Sequence, residues 1–320
     1  MSGEGNAWYH GLAAQGLTLS DVILGEIMPE GPAPINEDAF QSIKRAWLEF
    51  RTLCDDFDKP PSEVDVRDLL VKLFSEGLGH TDGAEVKSAN SDGSNISSRF
   101  KASVPGRNLL PDFVIQRGGS ADRGRLLAML LPPNIRMKGA SRAGKVQRDL
   151  VLLLRHCRLE FGLLSNGHQI RLLRVTPEDV TWIQWDPSIW FEHDEGRKQL
   201  DGLSELLGKD GIGQESIETR REGGPDRFRL QDACAQSRQR QSSLSAVVGE
   251  GVRQSVEALV NQLNAAALTS PELLENILGD AVPRSDDERN ALSSLHQASV
   301  RIVMRMIVIL FAEARDLLPH

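Results

Sequence analysis

The sequence predicts an α/β fold, a mixed sheet flanked by helices, followed by an α-helical segment. Three observations predict it. Between Arg107 and Val175, apolar runs of strand length (RNLLPDFVIQ, RLLAMLL, EFGLL, HQIRLLRV) surround a single run of helical spacing, and Pro, Gly or Asn-Gly punctuate them. Two helix-spaced stretches precede this core and supply material to cover it. Beyond about residue 233 the periodic stretches are helical.

Taken in order, residues 1–35 are broken by Gly and Pro around one apolar phrase, LTLSDVILGEIM, and read as an arm packing onto a larger body. From Asn36 to Leu53, Phe40, Ile43, Trp47, Phe50 and Leu53 recur at helical spacing. Ser62 reads as an N-cap with Asp65 three residues on, where a capping box ordinarily uses Glu or Gln. Val66, Leu69, Leu70, Leu73 and Phe74 form the buried stripe of that helix, and Gly77 and Gly79 end it. Residues 81–98 are small and polar and read as an exposed loop.

RNLLPDFVIQ reads as one strand, and Leu126 to Leu131 as a strand covered on both faces, stopped by Pro132-Pro133. In the run from Arg142 to Cys157, Val146, Leu150, Leu153 and Leu154 share one face, with Arg142, Lys145, Arg148 and Arg155 around the rest. Asn166-Gly167 between apolar runs predicts a hairpin turn, because that pair suits positive φ. TWIQW, with Trp182 and Trp185, reads as an edge strand, and a short helix follows near Lys198 to Leu207. Long helices are expected over 242–267 and 285–318. The second is apolar almost all round from Ile302, as a helix buried by other elements would be. That predicts a chain forming the front part of a longer protein. The domain expectation is therefore an arm and helix over 1–61, an α/β domain over 62–204, a Gly- and charge-rich linker over 205–232, and a helical segment over 233–320.

Composition narrows the function. The opening MSGEGNAWYHG has neither the basic nor the apolar region of a secretory signal, and no apolar run reaches the ~20 residues of a membrane span. Cys54, Cys157 and Cys234 are too scattered for a disulfide framework, which fits a reducing cytoplasm. The seven histidines show no metal-site spacing. Charge is segregated. Residues 99–174 hold 15 Lys/Arg against 4 Asp/Glu, a net +11 in a chain of net −8, which leaves −19 elsewhere. A basic segment in an acidic chain points to a polyanion, although solvated sheet and helix faces produce the same pattern.

The order strand, hairpin, strand, helix, strand, turn, strand, with Pro111-Asp112 opening a strand, resembles the PD-(D/E)xK nuclease core, a restriction-endonuclease-like fold. The closing phrase, with Arg305, Phe311, Ala312, Glu313, Arg315, Leu317, Leu318 and Pro319, resembles the helix preceding the catalytic domain of type IIG restriction–modification enzymes and related phage-defence (DISARM-type) DNA adenine methyltransferases. FGLLSNGHQIRLLR resembles a strand pair of the same group.

The resemblance implies DNA as partner, with defence-system subunits possible, and no membrane. It implies S-adenosylmethionine as cofactor of a downstream domain. No cofactor is expected in residues 1–320, where neither the glycine loop nor the Asn-Pro-Pro-Tyr-type motif of those enzymes occurs.

The same resemblance identifies what the nuclease core lacks. Such a core needs carboxylates on neighbouring strands for a hard cation, and a lysine for the attacking water. Asp112 matches the first position, but Met129 stands where Glu belongs and Leu131 where Lys belongs. Glu63 or Glu76 could lend one acid, yet neither replaces both partners. Asp112 is therefore expected to be vestigial, capping a backbone group or pairing with an arginine. No catalytic or metal residue is expected, and Arg142, Lys145, Arg148 and Arg155 are the expected nucleic-acid contacts. The functional expectation is a silent nuclease-like region that positions DNA or docks a partner. The alternatives are an active Mg²⁺-dependent nuclease and a purely structural assembly module.

Overall fold

The structure is a computed structural model that describes residues 7–56, 61–90, 93–116, 124–137, 142–213, 229–269, 297, 299–306 and 309. Contacts divide the chain into Met1–Arg238 and Gln239–His320. The first unit is mixed α/β with a large sheet flanked by helices. Its elements are α1 (Ala7–His10), β1 (Ala13–Gln15), α2 (Asp21–Ile27), α3 (Glu37–Cys54), α4 (Glu63–Lys72), β2 (Val86–Ser88), β3 (Ala102–Val104), β4 (Arg107–Leu109), β5 (Phe113–Gln116), β6 (Gly124–Leu130), α5 (Arg142–Cys157), β7 (Phe161–Ser165), β8 (Ile170–Val175), β9 (Val180–Trp185), α6 (Asp194–Leu207) and the start of α7 (Arg229–Thr269).

Seven strands form one sheet in the order β1-β9-β8-β7-β6-β5-β2, and β3-β4 form a separate ribbon. All neighbours run antiparallel except β6 and β7, which α5 joins as a crossover. Alternation along the strands sorts side chains onto two faces. Phe113, Leu126, Ala128, Leu163, Leu172 and Trp185 pack with α2, α3, α4 and α6. Val114, Leu127, Leu131, Leu164 and Leu173 pack under α5 with Leu150, Leu153 and Leu154. Gly162 on β7 admits α5 closely, since a Cβ there would run into Leu154 and Leu150.

Local chemistry accounts for several boundaries. Ser62 caps α4, and Asp65 closes the box by accepting the Ser62 backbone N–H at 2.7 Å, so the shorter acid does the work of Glu. Asn36 caps α3 by accepting the Asp38 backbone N–H at 2.8 Å. Gly167 takes φ +82° in the β7–β8 turn. There the Asn166 carboxamide accepts from the Gln169 N–H at 2.8 Å and donates to the Ile135 carbonyl at 2.8 Å.

Four expectations need correction. RNLLPDFVIQ is two strands, because the backbone leaves the β3-β4 ribbon at Leu109 and re-enters the main sheet at Phe113. Residues 81–98 are more than a loop: β2 pairs with β5, and Val86 and Ile96 are buried. β9 is not an edge, since β1 from the arm pairs with it. The first long helix begins at Arg229, thirteen residues before Ser242, because Leu230, Ala233 and Cys234 already find a core to enter.

In the second unit Val256 and Val303 are buried, whereas Ile302, Met304, Met306 and Ile309 are exposed. Most of the expected helix over 285–318, including Phe311 to Pro319, lies outside the described residues. Among the described residues no helix is long and apolar enough to cross a membrane.

Candidate nucleic-acid interface

Of the positions singled out by the nuclease resemblance, Met129 and Leu131 pack beneath the basic helix α5, whereas Asp112 lies against β6 with Glu63 and Arg67 of α4 as its charged neighbours. Register pairs Phe113 with Ala128, so Asp112, one residue before β5, stands opposite Met129. The Asp112 backbone N–H donates to the Ala128 carbonyl at 2.8 Å, and its carboxylate accepts the Leu130 N–H at 2.7 Å. The side chain thus continues the β5–β6 ladder past the end of β5. Burial pushes its pKa from 3.8 up to about 6. The Leu130 N–H opposes that rise, as does the more distant Arg67, and the Glu63 carboxylate adds to it. Leu131 is fully buried beneath α5, and Met129 packs partly buried on the same cluster. Among the described residues no group of three or more His, Cys, Asp or Glu side chains is placed to hold a metal.

The described acids of the basic segment, Asp112, Asp149 and Glu160, are turned to internal use. Asp149 takes a two-pronged hydrogen bond from Arg107, which ties the ribbon to α5. Glu160 accepts from Arg174 Nε at 2.6 Å, and Arg174 also holds the Cys234 carbonyl at 3.0 Å. Asp122 and three of the cations, Arg117, Arg123 and Lys138, lie outside the described residues.

On α5 itself Arg142 pairs with Glu63 at 3.1 Å, both ends exposed. Lys145, Arg148 and Arg155 are exposed and have no carboxylate partner among the described residues. Arg136 before the helix and Arg158 after it share that condition. Residues 142, 145, 148, 152 and 155 fall on one side of the helix by their three- and four-residue steps. Leu152, 45% exposed, lies within that cationic stripe. The stripe is about 20 Å long at 1.5 Å per residue.

Sequence reasoning found this stripe from helical period alone. It did not find that Arg171, also in the basic segment, points inward. Arg171 is 7% exposed, with Gln147, Gln184 and Trp182 about it. Gln147 and Gln184 are distant in sequence, and nothing in the periodicity distinguishes Arg171 from an outward arginine.

Compared with known proteins, the chain matches no protein-family model, and no curated protein or solved structure is significantly similar to it.

Proposed function

We propose that the α/β unit is a nucleic-acid-facing, nuclease-like body without cleavage chemistry, which positions DNA for a modification or defence activity carried elsewhere. One observation carries the reading: α5 presents Lys145, Arg148 and Arg155 without acidic partners among the described residues, over a sheet where the positions matched to a nuclease hold Met129 and Leu131. Duplex DNA bears a charge about every 1.7 Å of axis, so a 20 Å row of cations meets several phosphates. Backbone contacts of that kind orient a duplex and read little sequence. The likeness to type IIG and phage-defence methyltransferases, read from the sequence, supplies the wider setting.

The test is fluorescence anisotropy of two unrelated duplexes titrated with the protein across a range of salt. Neutralising three phosphates gives a log–log slope of about −2.7, with closely similar affinities for the two sequences. Binding indifferent to salt, or confined to one sequence, overturns the reading.

A further inference from the structure

Beside the N-terminal half of α5 an open cleft of about 440 Å³ is lined by Gln15 of β1, Gln147 and Arg148 of α5, Arg171 of β8, and Trp182 and Gln184 of β9. We propose that this cleft binds a nucleoside monophosphate unit, through its phosphate. The proposal deepens the DNA-facing reading and rests on it for the source of the ligand.

The Arg171 guanidinium lies over the Trp182 ring at 4.0 Å. Nη1 donates to Gln147 Oε1 at 2.7 Å, Nη2 to Gln184 Oε1 at 2.7 Å and to the Met137 carbonyl at 3.0 Å, and Nε to Gln184 Oε1 at 3.1 Å. Every one of these acceptors is neutral. A buried cation is ordinarily matched by a carboxylate, and this one has none among the described residues. Its positive charge is uncompensated in the wall of a solvent-open cleft.

The same hydrogen bonds fix the glutamines. A carboxamide whose oxygen faces a guanidinium presents its NH₂ group elsewhere. Gln147 and Gln184 are both held so, and Gln15 joins them because its Oε1 accepts the Trp182 Nε1–H at 2.7 Å. Among the described residues none of the three Nε2 groups has a partner. Arg148 adds a second cation without a carboxylate partner among the described residues. The described lining thus offers three amide donors, two guanidinium groups and an indole, and no acid. Such a wall suits an oxyanion rich in acceptors. The volume exceeds a phosphate alone and falls within the ~300–1,000 Å³ of small-molecule sites, leaving room for the attached sugar and base.

A free nucleotide and the phosphorylated end of a strand offer this same chemistry. Calorimetry on the full chain should compare deoxyadenosine monophosphate with deoxyadenosine, then a 5′-phosphorylated short single strand with its 5′-hydroxyl twin. The monophosphate is expected to bind at least about tenfold more tightly than the nucleoside. Preference for the phosphorylated strand assigns a strand end, and binding of the monophosphate alone assigns the free nucleotide.

Gln147→Glu hands Arg171 the missing carboxylate. It should weaken monophosphate binding about tenfold or more, with a thermal midpoint unchanged or raised. Gln184→Glu is the second variant if the first folds poorly. No monophosphate binding by the wild type, equal binding of nucleoside and monophosphate, or full binding by a folded Gln→Glu variant overturns the proposal. Gln147→Glu leaves Lys145 and Arg155 in place, so its duplex binding should persist. In the wild type, duplex binding without nucleotide binding sinks the cleft alone, and nucleotide binding without duplex binding sinks the wider reading alone.

Discussion

The Asp112 carboxylate accepts the Leu130 backbone N–H at 2.7 Å, satisfying a β6 donor that lies beyond the end of β5. The position that the nuclease resemblance would give to a metal ligand here completes a ladder. Asp112→Ala strands a buried N–H and should cost roughly 1–3 kcal/mol of stability in urea unfolding. Asp112→Asn keeps an acceptor and should cost clearly less. Equal losses in the two variants would mean the hydrogen bond is not what the residue contributes.

Burial of the same carboxylate, against the pull of the Leu130 N–H, sets a pH dependence. The folded pKa of Asp112 is raised to about 6 from an ordinary 3.8, so the fold favours the protonated acid. Its contribution is fully present below about pH 4 and is lost as pH rises through 6. The stability of the wild type minus that of Asp112→Asn should therefore fall across pH 4–6 and level off above. A difference that rises with pH, or stays flat, contradicts the assigned protonation.

Restoring the nuclease pattern should damage the protein before it helps. Leu131 is fully buried in the cluster beneath α5, and a lysine there would leave a charge without a partner, at a cost of roughly 3–5 kcal/mol. Met129→Glu, at a partly buried site, should cost less. The midpoint of chemical unfolding measures both. Plasmid DNA incubated with Mg²⁺ or Mn²⁺ should stay uncut by the wild type. Cutting that disappears in Asp112→Ala would show a working site instead.

Gly167 marks a place where backbone and packing agree. Its φ is +82°, and an added Cβ would meet the Phe50 ring. Gly167→Ala should cost about 1–3 kcal/mol from strain alone, with more from displacing Phe50. A neutral result in thermal unfolding would mean the turn relaxes freely.

How much of this was legible in the sequence depended on whether the cause was local. Ser62, Asn36 and Asn166-Gly167 act within a few residues, and period and turn chemistry found all three elements. The α5 stripe was legible for the same reason. β1 and β2 are three residues each, too short for alternation to register, and exist because β9 and β5 offer them an edge. The division of RNLLPDFVIQ was hidden because both halves are extended and only their partners differ. The inward turn of Arg171 depends on Gln147 and Gln184, distant in sequence, so charge counting placed it with the outer cations.

The central claim is that α5 meets nucleic acid through charges that have no acidic partner among the described residues. The direct measurement is duplex DNA binding by the double variant Lys145→Glu, Arg155→Glu beside the wild type, followed across salt. Both residues are exposed, so folding stability should change by no more than about 0.5 kcal/mol for each. The account predicts affinity at least about tenfold weaker at low salt and a log–log slope flattened by about 1.8, two phosphates' worth. A folded double variant that binds with wild-type affinity and an unchanged slope would contradict it.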